Sequence, residues 1–210
     1  MSDVLVVANR KGGTAKTTTV VNLAYALSER GARVLVIDLD NQGHVEFGFS
    51  AGDAQSAQLS MPDWLSSFEE FKGVFCYSDN IQLVLAHTNS AFDESAYKLD
   101  RFSSMFDAIS STNQFDIILV DTPPTLGPRL LSALAGANKI VIPAEPTPLA
   151  SDGVNKLLNA CMKAIQNKHF RATTIDILPV MVDGNFCRSL LTGGLWQRNR
   201  GAGKNLAAIR

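Results

Sequence analysis

Two lysines separated by four residues are the side chains of this sequence best suited to phosphate chemistry. The segment that contains them reads Lys11, Gly12, Gly13, Thr14, Ala15, Lys16, Thr17, Thr18. It follows an apolar run over residues 4–8 and precedes a helical pattern, so we expect a strand, a turn and a helix in that order. Such a turn presents backbone N–H groups and a helix N-terminus to phosphates, while a lysine reaches the β and γ oxygens and a threonine hydroxyl meets Mg²⁺. The segment therefore predicts a nucleoside triphosphate site.

The alternative is an ordinary glycine turn before a helix of an α/β protein. Such a turn would need neither the lysines nor the Thr-Thr start, so phosphate binding is the preferred interpretation. The pattern G-x-x-x-x-G-K-[ST] is imperfect, because Arg10 and Ala15 occupy its two glycine positions. A methyl group at position 15 requires a backbone conformation open to L-residues, or else costs strain of about 1–2 kcal/mol.

Two acidic segments follow apolar runs of the kind that form buried parallel strands. Residues 34–37, Val-Leu-Val-Ile, lead into Asp38 and Asp40, and residues 117–120, Ile-Ile-Leu-Val, lead into Asp121. Side chains alternate along a strand, so Asp38 and Asp40 point to the same side, with Asp40 at the exit where ligands of parallel sheets bind. A carboxylate placed like that of Asp121 can hold Mg²⁺ through its water shell. The alternative for Asp38 and Asp40 is that they only cap a strand end, and Asp121 taken alone would be weak evidence for a metal site.

Together these motifs resemble the deviant Walker A ATPases of the ParA/MinD family, in which a second lysine, here Lys11, begins the phosphate loop. The resemblance is strongest to small plasmid partition ParA proteins of the ParF-like type. Residues 40–44 are similar to the family's switch I, although Asn41 and His44 replace its usual proline and asparagine. Residues 121–127, Asp-Thr-Pro-Pro-Thr-Leu-Gly, are similar to switch II.

The resemblance implies roles for individual residues. Lys16 is expected to neutralise β and γ phosphate charge, and Lys11 to reach the partner subunit's phosphates across a two-fold axis. Thr17, Asp40 and Asp121 form the implied Mg²⁺ site, and Asp40 also positions the attacking water. The implied catalytic residues are thus Lys11, Lys16 and Asp40, and the nucleotide-binding segment runs from Lys11 to Thr18.

The resemblance also implies cofactors and partners. ATP and Mg²⁺ are the implied cofactors, and the implied reaction is slow, Mg²⁺-dependent hydrolysis of ATP to ADP and phosphate. The implied partners are a second copy of the chain when ATP is bound, a ParB-like or small ribbon-helix-helix centromere-binding protein, and DNA bound without sequence preference. The implied role is segregation of a plasmid or chromosome in the cytoplasm, on the nucleoid, without a membrane partner.

Other functional classes stay open on the sequence alone. A positioning ATPase for carboxysomes or chemosensory clusters has the same motifs. A MinD-like membrane-cycling regulator needs a C-terminal amphipathic helix, for which residues 206–210 look too short and small. An iron–sulfur carrier needs paired cysteines, whereas Cys76, Cys161 and Cys187 are scattered. An amide or biotin-pathway ligase shares the fold without needing Lys11, and a non-hydrolysing DNA-binding module is the non-enzyme option.

Length and periodicity predict one compact domain. The 210 residues, 46% of them hydrophobic, suffice for a sizeable core. Apolar runs alternate with helical patterns, which predicts an α/β fold with a doubly wound, mostly parallel sheet and helices on both faces. The family resemblance implies the P-loop NTPase arrangement of ParA-like SIMIBI proteins. We predict strands over residues 3–8, 33–38, 81–86, 116–120, 139–143 and 175–182, and helices over 16–30, 93–111, 130–137 and 149–168. Residues 51–78 are predicted to be variable, with Phe68, Phe71 and Phe75 as packing residues.

The end of the sequence is basic. Residues 184–210 contain no acidic residue and five basic ones, namely Arg188, Arg198, Arg200, Lys204 and Arg210. Such a segment beside an acidic body favours a nucleic-acid contact, and its first four basic residues are the predicted DNA ligands. The alternative is a solvated, partly disordered end, which its glycines favour. We therefore predict a ParA-like ATPase domain over residues 1–183 and a basic, glycine-containing segment over residues 184–210 that is truncated or divergent relative to the family.

Overall fold

The computed structural model describes most of the chain up to residue 182. The described residues are 1–49, 57–60, 62–63, 65–69, 71–86, 98–167 and 169–182, without the side chains of residues 57 and 148–152. The strands are β1 (Asp3–Val7), β2 (Val34–Asp38), β3 (Ala57–Gln58), β4 (Phe71–Ser78), β5 (Ile81–Ala86), β6 (Ile117–Asp121), β7 (Lys139–Ala144) and β8 (Thr174–Pro179). The helices are α1 (Lys16–Ser28), α2 (His44–Phe49), α3 (Arg101–Ser111), α4 (Pro128–Gly136) and α5 (Pro148–Gln166).

These strands form one eight-stranded sheet in the order β3-β4-β5-β2-β6-β1-β7-β8. Pairing is parallel from β5 through β2, β6, β1 and β7 to β8, and antiparallel where β4 meets β3 and β5. The predicted doubly wound, mostly parallel sheet is therefore confirmed. From β1 the chain first adds strands toward the β3 edge of the sheet and later adds strands toward the β8 edge. The strand order therefore reverses near β1, and ligands are expected at the carboxyl ends of the strands at such a reversal.

Both faces of the sheet are covered by helices. Leu35 and Ile37 of β2 join a large apolar cluster with α3, α4 and α5, whereas Val34 and Val36 join a second cluster with α1 and α2. All five residues of β2 are buried, which explains why its sequence is apolar without alternation. Each helix uses its apolar side chains against the sheet, and no helix among the described residues is long and apolar enough to cross a membrane.

Several predicted boundaries differ from the observed ones. The helix predicted over residues 93–111 is wrong for residues 98–100, which precede α3; residues 93–97 lie outside the described part. The buried side chains of α3 begin at Phe102, whereas residues 98–100 are exposed and add nothing to the core. The last strand, predicted to reach residue 182, ends at Pro179, and α1 ends at Ser28 rather than residue 30.

The stretch predicted to be variable contains regular structure. It holds β3 and β4, and α2 directly precedes it. Phe68 and Phe71 are buried, and Phe75 packs against the second cluster, so the prediction that these rings pack in the interior is confirmed. The spacing of these phenylalanines looks nearly helical and did not predict the strand β4. In β4, register irregularities near Gly73 disturb the two-residue alternation that marks a strand.

We expect Gly136→Ala to lower the free energy of unfolding by about 1–3 kcal/mol, the usual cost of overpacking a core. A Cβ atom at Gly136 would lie 2.6 Å from Phe106 Cδ2 and 3.0 Å from the Ser103 backbone, where α4 packs on α3. Urea denaturation measures this. Gly153→Ala is the matched control, since a Cβ atom there meets nothing within 4 Å, and it should stabilise α5 by about 0.5–1 kcal/mol. Equal effects of the two substitutions would contradict the packing argument.

Candidate functional site

The loop between β1 and α1 is held in place by side chains that anchor its backbone. Asn9 Nδ2 donates to the Pro143 carbonyl at the end of β7 (2.7 Å), and Asn9 Oδ1 accepts from the Lys11 N–H (3.0 Å). Thr14 Oγ1 donates to the Lys11 carbonyl at 3.1 Å, and Lys16 Nζ lies 3.4 Å from the same oxygen. Sequence reasoning missed Asn9, whose role depends on a strand more than 130 residues away.

The backbone of this loop is strained at one position. Ala15 has φ 58° and ψ 30°, in the left-handed region, directly before the first residue of α1. Gly13 also has a positive φ, 71°, and a Cβ atom at Gly12 or Gly13 would meet nothing within 4 Å. The glycines therefore leave open space over the loop, whereas Ala15 adopts a conformation that costs an L-residue about 1–2 kcal/mol.

Lys16 is a buried cation that lacks full solvation. Its burial lowers the pKa of the ammonium group, and the nearby carboxylates of Asp121 and Asp40 partly offset that effect. An ammonium group held in this way gains from any additional anion, because its own solvation shell is already incomplete. A phosphate at this loop would supply such an anion.

Asp121 joins the phosphate loop to the neighbouring strand β6. Its Oδ2 accepts a 2.6 Å hydrogen bond from Thr17 Oγ1, and its Oδ1 accepts from the Thr122 N–H at 3.1 Å. Burial raises the pKa of Asp121 to about 6, against the lowering effects of the Thr17 hydrogen bond and the Lys16 charge. The hydroxyl and the carboxylate thus lie side by side as two hard oxygen ligands.

Asp38 is fully buried at the end of β2. Its burial, followed by the charge of Asp121, raises the pKa of Asp38 to about 8. Asp38 Oδ1 accepts a 2.9 Å hydrogen bond from the Asp40 N–H. Asp38 therefore caps the strand end, in agreement with the alternative interpretation for this residue, and holds the backbone from which Asp40 projects.

Asp40 lies at the mouth of the site rather than beneath it. It is 9% exposed, its Oδ1 accepts from the Gln42 N–H at 3.1 Å, and its carbonyl accepts from the Gly43 N–H. The turn therefore keeps the carboxylate near the cavity.

Sequence reasoning missed Arg129, whose Nη1 donates to the Leu39 carbonyl at 3.0 Å, directly before Asp40.

A cavity of about 710 Å³ opens above this arrangement, within the range of small-molecule sites. Its lining comes from the phosphate loop, α1, α2, the segments that resemble switch I and switch II, and the residues after β8: Gly12, Gly13, Thr14, Ala15, Lys16, Thr17, Thr18, Val21, Asn22, Asp40, Gln42, His44, Phe47, Gly48, Pro124 and Met181. Asp121 is fully buried beneath it.

Lys11 lies at the surface, 53% exposed, with Nζ 3.6 Å from Glu145 Oε2. The predicted DNA ligands, residues 188, 198, 200 and 204, lie outside the described residues.

The donor set fits Mg²⁺ bound together with a triphosphate. Within the part of the chain that is described, no group of three or more His, Cys, Asp or Glu side chains could hold a metal by itself. Mg²⁺ commonly binds through one or two protein oxygens together with waters and phosphates, and Thr17 Oγ1 and Asp121 Oδ2 provide such a pair. Two open glycines and a buried lysine provide the matching phosphate cradle.

A loop that opens a helix on Lys-Thr, beside an acid at the end of the adjacent parallel strand, defines a P-loop nucleotide-binding protein. Residues 2–175 match the AAA domain family AAA_31. Over 180 residues the chain is 32% identical to the chromosome-partitioning ATPase Soj of Thermus thermophilus, covering 86% of this chain and 70% of that protein. The chain belongs to the ParA/MinD-type P-loop ATPase family. The ParF-like subtype stays a prediction.

Other relatives are consistent with this family. Identity is 32% to the protein IncC of Escherichia coli, over 85% of this chain and 50% of that protein. Identity is 29% to the sporulation initiation inhibitor protein Soj of Bacillus subtilis, over 87% of this chain and 74% of that protein. The chain thus spans between half and three quarters of the length of these curated relatives.

Solved structures agree with the fold. A cobyrinic acid a,c-diamide synthase from Mycobacterium smegmatis, with bound ATP analog and magnesium, has a TM-score of 0.73 at 29% identity, covering 91% of this chain and 80% of that one. Apo McdA of Cyanothece has a TM-score of 0.75, covering 100% of this chain and 85% of that one. Its identity is only 19%, so this likeness shows the fold alone.

We expect Ala15→Gly to raise the free energy of unfolding by roughly 0.5–1 kcal/mol, because relief of left-handed strain exceeds the entropy that glycine adds to the unfolded chain. Chemical denaturation of the nucleotide-free protein measures this. Ala24→Gly, in the buried interior of α1, is the matched control and should lower the free energy by about 1–2 kcal/mol. A destabilised Ala15→Gly variant would contradict the strain argument.

Asp38 should contribute stability to the nucleotide-free, metal-free protein that is lost as pH rises from about 4 to about 8. Asp38, with its pKa raised to about 8, holds a proton in the folded state that the unfolded chain releases near pH 4. One such proton contributes a slope of at most about 1.4 kcal/mol per pH unit. We expect Asp38→Asn to flatten this slope, measured by urea denaturation at pH 5, 6.5 and 8.

Asp116→Asn is the control for this pH experiment. The hydrogen bonds from exposed Arg33 lower the pKa of Asp116 to about 2, so its contribution is present above the unfolded pKa and is lost only as pH falls toward 2. Its substitution should shift stability equally at all three pH values. An Asp38→Asn profile parallel to that of the wild type would disprove the assignment of the proton to Asp38.

Proposed function

We propose that this protein is a slow, Mg²⁺-dependent ATPase that dimerises when ATP is bound and segregates DNA. The observation that carries the proposal is a cavity lined by Lys16, Thr17 and Asp40, with Asp121 buried beneath it and hydrogen-bonded to Thr17. The partition ATPases among its relatives support the same conclusion.

The chemistry follows from what each side chain can do. Lys16, buried and short of solvation, stabilises the charge that develops between the β and γ phosphates. Thr17 and Asp121 would hold Mg²⁺, with Asp40 at the same site. The bound ion would neutralise negative charge on the phosphate oxygens. Asp40 also orients the attacking water from the cavity mouth. Because catalysis here depends on positioning rather than on a covalent intermediate with the protein, we expect hydrolysis to be slow until a partner orders the loop that carries Asp40.

Lys11 acts outside its own cavity. Its ammonium group is half exposed and is paired at 3.6 Å with Glu145, on the loop after β7. A surface ion pair of this kind contributes about 0–1 kcal/mol, so Lys11 exchanges partners at little cost. We assign it to the phosphates bound by the partner subunit, which makes ATP-dependent dimerisation a requirement for the complete site.

The cellular role concerns DNA and a centromere-binding partner. The basic residues of segment 184–210, with Arg188, Arg198, Arg200 and Lys204 as ligands, are assigned to non-specific DNA binding, beside an ATPase domain over residues 1–183. A ParB-like or ribbon-helix-helix protein stimulates hydrolysis. These activities place the protein in the cytoplasm, on the nucleoid.

A second candidate is a positioning ATPase for another cargo. The shared motifs are compatible with it, and McdA has the same fold. A membrane-cycling regulator is a third candidate, and MinD in the Aquifex aeolicus MinC:MinD complex also has this fold (TM-score 0.72, 15% identity). ATP-dependent binding to plasmid DNA favours partition or positioning, whereas binding to anionic vesicles favours the membrane regulator.

We expect Lys16→Ala to abolish measurable ATP binding and Lys11→Ala to leave binding intact while removing ATP-dependent dimerisation. Truncating a buried charged partner costs about 2–5 kcal/mol of binding, whereas Lys11 contacts only the other subunit's nucleotide in this proposal. Calorimetry with Mg²⁺ and a slowly hydrolysed ATP analogue measures binding, and light scattering measures mass.

Lys139→Ala is the matched control. Lys139 also forms an exposed ion pair, with Asp3 at 2.6 Å, but at the amino ends of the strands. It should bind ATP and dimerise like the wild type. A Lys11→Ala variant that dimerises normally would refute the role in the partner's site, and a wild type that neither binds nor hydrolyses ATP would refute the ATPase itself.

A further inference from the structure

Arg129 is a buried cation next to the predicted catalytic loop. It is 6% exposed and lies in the first turn of α4, directly after the Thr122–Gly127 segment that resembles switch II. Its Nη1 donates a 3.0 Å hydrogen bond to the carbonyl of Leu39, which precedes Asp40. One side chain therefore joins the beginning of α4 to the loop that carries Asp40.

Packing alone does not account for an arginine at this position. Removing a guanidinium group from water costs several kcal/mol, and a cation in the first turn opposes the helix dipole. The neighbours in α4 are Leu130, Leu131 and Ala133, and an apolar side chain would fill the same space without either cost. The hydrogen bond to Leu39 is what an apolar residue could not supply.

The peptide groups before Asp40 are held from three elements. The Leu39 N–H donates to the Asp121 carbonyl of β6 at 3.0 Å, and the Leu39 carbonyl accepts from Arg129 of α4. The next N–H, that of Asp40, donates to Asp38 of β2 at 2.9 Å. Two of these contacts involve rigid central strands, whereas the third comes from the helix that follows switch II.

We propose that Arg129 is a positioning residue that couples the switch II segment to Asp40. A displacement of the beginning of α4 pulls on the Leu39 carbonyl, and the orientation of the adjacent Asp40 carboxylate changes with it. Loss of the guanidinium group leaves the phosphate cradle intact but lets the Asp40 loop move. This inference rests on the proposed ATPase function, and it adds to it a route by which movement of the switch II segment reaches the water-positioning group.

The test compares Arg129→Met, Arg129→Lys and Ser132→Ala. Methionine keeps most of the side-chain volume without a donor, and lysine restores one donor. Ser132 is the matched control: it is buried in the same helix, and its Oγ accepts from the Phe102 N–H at 3.1 Å, on the side facing α3. Thermal unfolding first establishes that each variant is folded.

Steady-state phosphate release gives the first readout. We expect Arg129→Met to lower kcat about tenfold, equivalent to about 1.4 kcal/mol, while the Kd for the ATP analogue stays within about threefold of the wild type. Arg129→Lys should recover part of kcat, and Ser132→Ala should keep the wild-type kcat. An unchanged kcat in folded Arg129→Met, or equal losses in Arg129→Met and Ser132→Ala, would overturn the proposal.

Hydrogen exchange of the nucleotide-free protein gives a second readout that does not require hydrolysis. Amides of residues 39–43 should exchange faster in Arg129→Met than in the wild type, and unchanged in Ser132→Ala. If the wild type hydrolyses no ATP, the proposed function fails and exchange alone decides on the coupling contact. Equal exchange in all variants would show that Arg129 does not hold this loop. If Arg129→Met fails to fold, Arg129→Lys is compared with the wild type and Ser132→Ala, and its residues 39–43 should exchange faster than in either.

Discussion

The hydrogen bond between the Thr17 hydroxyl and the Asp121 carboxylate, 2.6 Å long, joins the first turn of α1 to the end of β6. It ties the phosphate loop to the most buried part of the sheet, and the rest of the site is arranged around it. A carboxylate without solvent must be compensated, and here a hydroxyl, a backbone N–H and the Lys16 ammonium group provide this. The same two oxygens are the proposed Mg²⁺ ligands, so one contact serves both the fold and the chemistry.

Clustering of carboxylates beside Asp121 has an electrostatic consequence. Burial and the Asp121 charge raise the pKa of Asp38 to about 8, which favours its neutral form and reduces repulsion inside the site. Lys16 experiences the opposite balance, since burial lowers its pKa and the acids partly restore it. Counting the Lys16 ammonium group against the carboxylates of Asp121 and Asp40 leaves one excess negative charge, which Mg²⁺ bound together with a triphosphate would offset.

Strain and coupling in the surrounding loops complement this centre. Ala15 keeps a left-handed backbone at the entrance to α1, and Asn9 braces the same loop against the end of β7. On the other side, Arg129 holds the backbone before Asp40. Rigid strands thus carry the phosphate cradle, whereas the proposed water-positioning group depends on a helix that adjoins switch II. That division is what a nucleotide-dependent switch requires.

Local patterns were sufficient for much of this protein. The central strands and the cradle were predictable because buried parallel strands are continuously apolar and a phosphate loop has its own short-range signature. Long-range partners were not predictable. The strand β4 forms by pairing with β5, Asn9 hydrogen-bonds to the Pro143 carbonyl, and Arg129 hydrogen-bonds to a carbonyl 90 residues away. Such contacts leave no local period, since the chain encodes them only through the way strands and helices pack. Tertiary packing therefore decided which acid is buried and protonated, which one faces the cavity, and which cation holds its loop.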